Sequence, residues 1–168
     1  GMPGFGQDWN LAISKDWGGQ CMKDYLSAID DACKESYVDK DKLGAVGASF
    51  GGYSVYYLAG HHNKRFKCFI SHCGMFNIES WYGTTEEMWF ANYDIGGPYW
   101  EQQYKKQYEQ FSPHRFVQNW DTPLLVMHGE KDFRVPVSEG LKAYQAAQLK
   151  GIQSRLVLFP EEGHWSQS

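Results

Sequence analysis

LGAVGASFGGYSVYYLAG, residues 43–60, decides how this chain is read. Its first part, Leu43 to Gly47, is a short run of small and apolar residues suited to a strand buried on both faces. Its last part, Phe50 to Gly60, is apolar nearly all round, which predicts a helix packed against a central sheet rather than one lying at the surface. Between them Gly47-Ala48-Ser49-Phe50-Gly51 fits GxSxG, and Gly52 extends it. Composition alone would produce about 0.13 such matches in a chain like this one, and about 0.014 once Gly52 is required, so the motif acquires weight only from its setting. That setting is a strand, a tight turn and a helix, the arrangement that lifts a serine onto a strained elbow with small neighbours around it. Such an elbow makes Ser49 a candidate nucleophile. It also puts the backbone N–H of Phe50 at a helix N-terminus, where it can donate to a developing oxyanion.

Outward from this stretch, elements alternate. Residues 18 to 36 carry Met22, Tyr25, Leu26, Ile29 and Cys33 at helical spacing, with acidic residues on the opposite face. Phe66 to Ser71 and Leu124 to His128 read as strands, Ser138 to Lys150 as a helix closed by Gly151, and Ser154 to Phe159 as a fourth strand. The stretch from Met75 to Trp120 is rich in Trp, Tyr, Gln and Glu and is punctuated by Pro98 and Pro113; it reads as a helical excursion above the sheet. Strands alternating with helices imply an α/β fold with a mostly parallel sheet and right-handed crossovers. There is no internal repeat, linker or low-complexity tract, and one domain is the default at 168 residues.

Composition narrows the function classes. A net charge of -4 without long runs of either sign argues against nucleic acid or an anionic membrane surface as partner. No stretch approaches the roughly 18 apolar residues of a membrane span, and GMPGFGQDW lacks the pattern of a secretory leader; a soluble protein is expected, with its compartment open. Aromatic residues make up 17% of the chain, so some are expected to line a pocket while the rest fill the core. Cys21, Cys33, Cys68 and Cys73 have no CxxC spacing and read as structural thiols rather than a zinc site, their bridging left open.

A serine nucleophile needs a base, and the base needs an acid to hold its tautomer. His164, in EEGHW just after the last strand, is the outstanding base; His61, His62 and His114 lie in less suitable places, and His72 and His128 at strand ends read as packing residues. The acid is expected after the Leu124 strand, where Glu130 and Asp132 compete in HGEKDFRVP and local pattern does not separate them.

At these residues the chain resembles the prolyl oligopeptidase family of serine peptidases, in its dipeptidyl-peptidase and acylaminoacyl-peptidase branch. GFGQDW, WGGQCMKDYLSAID, GASFGGYS, TPLLVMHGEKDFRVP and EEGHW carry the likeness in the family's order, over nearly the whole chain. The resemblance implies that residues 1–168 are part of an α/β-hydrolase catalytic domain. It assigns Asp132 over Glu130, and it implies a peptide substrate with no metal or cofactor. It places Tyr53, Phe76, Trp81 and Tyr82 in the wall around the residue before the scissile bond. Family members have further strands and a β-propeller before the position of Gly1 and a last helix after that of Ser168, and the earlier part normally supplies a tyrosine as second oxyanion donor. This chain alone is therefore expected to be inactive, and its Leu43 to Gly47 strand to present an open edge prone to self-association.

Two rival functions stay in view. An esterase on the same fold would use the same three residues, since fold does not fix the leaving group. A non-catalytic hydrolase-like interaction module would not need all three positions filled. A His and Cys metal protein is disfavoured by the absence of HExxH or clustered ligands in the sequence.

Overall fold

The computed structural model describes residues 3–167. After a single 3₁₀ turn come helices α1 (Gln7–Leu11) and α2 (Gln20–Ala32), strand β1 (Gly44–Ala48), helix α3 (Phe50–Ala59) and strand β2 (Cys68–His72). The excursion contains α4 (Ile78–Tyr82), α5 (Met88–Ile95), α6 (Gln102–Phe111) and a 3₁₀ segment, Pro113–Asn119. Strand β3 (Leu124–Gly129), helix α7 (Ser138–Leu149) and strand β4 (Ser154–Phe159) complete the order. The four strands lie in sequence order and pair in parallel throughout, so the chain is an α/β protein with the sheet the motif reading implied.

Register shows which face is covered. Gly47 pairs with Ser71, and Ser71 with Val126, so these residues point the same way. Ser71 Oγ donates to the Gly52 carbonyl of α3, and Val126 lies against Gly140 of α7, so both helices cover one face. That face is dense: Gly52 through Ala59 are all buried, and Phe69, Leu124, Val126, Ala143 and Ala147 pack beneath them. The helix predicted from an all-round apolar pattern is buried as that pattern requires.

The opposite face corrects one expectation. Strand β1 is half-buried on one side and exposed on the other: Ala45 and Gly47 are half-buried, Val46 is 74% exposed, and its row neighbours Ile70 and Leu125 are half-buried. Small residues made the strand suitable for cover on both sides, but among the described residues no helix lies over this one. Among those residues β1 also pairs on its β2 side alone, leaving its outer edge open. His62, set aside in the sequence as one of the less suitable histidines, has a structural place at the polar exit of α3. It is 3% exposed, and its Nδ1 accepts the Phe66 N–H at 3.1 Å, closing the turn between α3 and β2.

Candidate active site

The site lies at the carboxyl ends of the strands, where parallel α/β sheets gather their ligands. Ser49 sits between β1 and α3 at φ +57° and ψ −117°, a left-handed conformation that an L-residue occupies only under constraint. Two glycines impose it. A Cβ on Gly47 would stand 2.3 Å from the Gly51 carbonyl oxygen, and one on Gly52 would stand 2.6 Å from the His72 carbonyl oxygen. Gly51, the last glycine of GxSxG, has open space in that direction, so the extra Gly52 is the stricter requirement. The Ser49 N–H donates to His72 O at 3.0 Å, continuing the sheet ladder into the turn. Phe50 opens α3, and its N–H belongs to the first turn, whose donors have no acceptor within the helix.

Asp132 is 3% exposed in the loop after β3, whereas Glu130 is exposed. Its Oδ1 accepts the N–H groups of Arg134 (3.0 Å) and Val135 (2.9 Å), leaving Oδ2 to face His164. The loop is pinned to the one after β4: Glu130 N–H donates to Phe159 O and Lys131 N–H to Glu162 O, both at 3.0 Å. A Cβ on Gly129 would meet the Glu162 carbonyl oxygen at 2.4 Å, so the two loops touch through backbone alone.

His164 joins the two ends. Its Nδ1 is 2.8 Å from Asp132 Oδ2 and its Nε2 is 2.9 Å from Ser49 Oγ. A carboxylate only accepts, so Nδ1 donates, and in the neutral ring Nε2 accepts from the serine hydroxyl. Burial alone would lower the imidazole pKa, but the hydrogen bond to Asp132 and the Cys73 sulfur outweigh it, and the ring is pushed up to about 9. His128, fully buried, approaches Asp132 Oδ2 at 3.7 Å and shares a 2.7 Å hydrogen bond with the Val135 carbonyl, bracing the acid's loop. His72 shares a 3.2 Å contact with Ser166 Oγ.

Beside Ser49 and His164 opens a cavity of about 160 Å³. Its apolar wall is Trp17, Phe50, Met75, Trp81, Phe90 and Val135, with Glu87, Arg134 and Trp165 at its polar side. Arg134 pairs with Glu87 at 3.2 Å and lies under the Trp165 ring. Of the four residues expected in the pocket wall, Trp81 lines the cavity, and Tyr53, Phe76 and Tyr82 do not. Tyr53 is turned into the core, its hydroxyl on the Phe111 carbonyl at 2.8 Å; Phe76 packs on Tyr56 and Trp120; Tyr82 bonds Asn92 at 2.7 Å. The resemblance pointed to α3 and the segment after β2 but did not choose among the neighbouring aromatic residues there. Trp17 opens the WGGQCMKDYLSAID stretch but was not singled out for the pocket, yet its ring centroid lies 5.3 Å from those of Phe50 and Tyr53 and 5.5 Å from that of Trp81.

The wall is tied to the acid's loop. The Arg134 carbonyl accepts from Trp81 Nε1 (2.9 Å) and Thr85 Oγ1 (2.8 Å). Glu139, fully buried on α7, accepts the N–H groups of Phe76 (3.1 Å) and Asn77 (2.7 Å), accepts from Ser80 Oγ and pairs with Lys142 at 3.0 Å. This carboxylate was invisible in the sequence because Phe76, Asn77 and Ser80, the groups it holds in place, lie 63, 62 and 59 positions away.

The whole of residues 1–168 matches the model of the prolyl oligopeptidase family. The chain belongs to that family. It is 59% identical over 167 residues to dipeptidyl-peptidase 5 of Porphyromonas gingivalis and 40% identical over 167 residues to dipeptidyl-peptidase 5 of Schizosaccharomyces pombe. Each alignment takes in 98% of this chain and 24% of the relative, so the chain spans about a quarter of the length of these curated relatives. Among solved structures it is similar to an acylaminoacyl peptidase of Pyrococcus horikoshii, with a TM-score of 0.89 at 25% identity over 96% of this chain and 26% of that one. The four-stranded parallel sheet is thus part of the α/β-hydrolase fold. No helix among the described residues is long and apolar enough to cross a membrane.

Proposed function

We propose that this chain is the catalytic part of a serine peptidase that cleaves near the N-terminus of peptides, of dipeptidyl-peptidase or acylaminoacyl-peptidase type. Ser49 is the nucleophile, His164 the general base, Asp132 the acid that orients it, and the Phe50 N–H an oxyanion donor. The observation that supports this most is the unbroken run of hydrogen bonds from buried Asp132 through His164 to a serine on a strained turn. In the reaction, Ser49 Oγ bonds to the carbonyl carbon as its proton passes to Nε2. Collapse of the tetrahedral intermediate breaks the C–N bond, Nε2 returns the proton to the departing amine, and water releases the acyl group by the same route. No step calls for a metal or cofactor.

The names of the relatives favour the dipeptidyl arm, and the apolar wall beside Ser49 favours an apolar side chain before the scissile bond. Fluorophosphonate labelling of the full-length protein, with the adduct mapped, is expected to mark Ser49; turnover of a dipeptidyl amide alongside a short acyl ester is expected to include the amide. Ester turnover alone would move the reading to an esterase, and hydrolysis unchanged in Ser49→Ala would return it to a non-catalytic module. We also infer that the open edge of β1, with its exposed Val46, is an association surface for further segments of the same protein or a second copy of the chain. Light scattering on the isolated chain tests this; a monomer that unfolds cooperatively would overturn it.

A further inference from the structure

Cys73, just after β2, is 2% exposed, free of any disulfide and held at φ +42°. Its Sγ stands 3.9 Å from the His164 carbonyl oxygen, a weak thiol contact. The acyl-transfer reaction has no use for this sulfur. Yet Sγ, a carboxylate oxygen of Asp132 and a ring nitrogen of His164 all lie within 4.8 Å of one another. Thiolate, imidazole and carboxylate together are a donor set that suits a borderline-soft divalent cation. Zinc bond lengths of about 2.0–2.3 Å put tetrahedral ligands about 3.3–3.6 Å apart, so the sulfur has little more than an ångström to travel and the Asp132–His164 pair need open by well under one.

We propose that Cys73, Asp132 and His164 form an inhibitory site for a thiophilic divalent cation such as Zn²⁺, which turns the hydrolase off by capturing its base. The inhibitory role rests on the reading of His164 as that base. Each ligand binds without a proton, so the Cys73 thiol releases its own to solvent. A cation on Nδ1 displaces the proton shared with Asp132, which moves to Nε2, so that Nε2 becomes a donor facing Ser49 instead of an acceptor. A cation on Nε2 occupies the lone pair itself. In both cases Ser49 loses its proton acceptor, and three protein ligands leave the fourth tetrahedral position to water.

The test uses the full-length protein in metal-free buffer with Zn²⁺, Cd²⁺ and Mg²⁺ as probes. Zn²⁺ and Cd²⁺ are expected to inhibit reversibly, with recovery on adding a chelator, and Mg²⁺ is expected not to. Cd²⁺ is expected to raise a thiolate-to-metal charge-transfer band in the ultraviolet that is missing from Cys73→Ser. The half-inhibiting Zn²⁺ concentration, measured against each variant's own uninhibited rate, is expected to rise at least about tenfold in Cys73→Ser, since even outer-shell losses reach that size. If that variant folds poorly, Cys73→Gly, which tolerates φ +42°, takes its place. Equal Zn²⁺ inhibition with and without the thiol, or hydrolysis that depends on Ser49 with no Cd²⁺ band that depends on Cys73, would overturn the inference. A band that depends on Cys73 in a protein without hydrolysis would support the metal site and overturn the catalytic reading instead.

Discussion

On one side of the cavity Ser49, Asp132 and His164 hang from the ends of β1, β3 and β4, held by backbone hydrogen bonds and by glycines that bring main chain against main chain. On the other, Met75, Trp81 and Phe90 sit in and around the short helices α4 and α5, held by the Phe76 and Asn77 N–H groups and the Ser80 hydroxyl that converge on Glu139 and by the Trp81 indole on the Arg134 carbonyl. The first side is positioned by the sheet and cannot drift without breaking its ladder. The second depends on one buried carboxylate, and its shape can change by substitution without touching the chemistry. On the proposed function, reactivity and selectivity are therefore separately adjustable here, although they meet in residues 132–135.

Removing the proposed nucleophile sharpens the contrast most. Ser49→Ala is expected to lower kcat of the full-length enzyme by roughly 10⁴–10⁶-fold with every substrate, because the triad acts as a unit; steady-state rates on amides of different side chains check that the loss is uniform. Glu139→Ala strikes the other side. It leaves the N–H groups of Phe76 and Asn77 without their acceptor and is expected to cost about 3–5 kcal/mol, read by urea unfolding. A loss under about 1 kcal/mol would mean that the wall has another anchor and would dissolve the contrast. Trp81→Ala is expected to reduce kcat/KM roughly 10–200-fold for substrates with a large apolar residue before the scissile bond, and far less for those with alanine there; an equal drop for both would place Trp81 in the reactive side.

The smallest effect concerns pH. In the proposed mechanism the base must be neutral to accept a proton, and His164 is pushed up to about 9, so kcat/KM is expected to rise with pH as the ring deprotonates, with its midpoint above 6.5. Because the Cys73 sulfur contributes to that rise, Cys73→Ser is expected to move the midpoint downward, whereas Trp81→Ala is expected to leave it in place. A midpoint at or below 6.5 would separate His164 from the rate-determining proton transfer.

The strands, the crossover helices and the elbow were legible because each rests on local rules. Small residues before Ser49, an all-round apolar helix after it and Gly151 behind α7, at φ +69°, constrain backbone within a few positions. Strand β4 runs from Ser154 to Phe159 as its pattern required. Asp132 and Glu130 were not separable in that way: they lie two residues apart in one polar loop, and the difference is that Oδ1 of one meets two N–H groups three positions or fewer ahead while the other points to solvent. The open face of β1 was hidden for the opposite reason, since small apolar residues permit cover on both sides without specifying it.

Sequence alone thus determined the order of elements, the strained position of the serine and the chemical type of its partners, because these follow from short-range sterics and from the residue types that acyl transfer demands. Tertiary structure alone decided which aromatic rings border the cavity and that Cys73 lies beside His164, and it supplied the physical reason for Asp132 over Glu130, which only the family resemblance had separated. Those facts depend on contacts between residues dozens of positions apart, and no local pattern encodes a distance across the sheet.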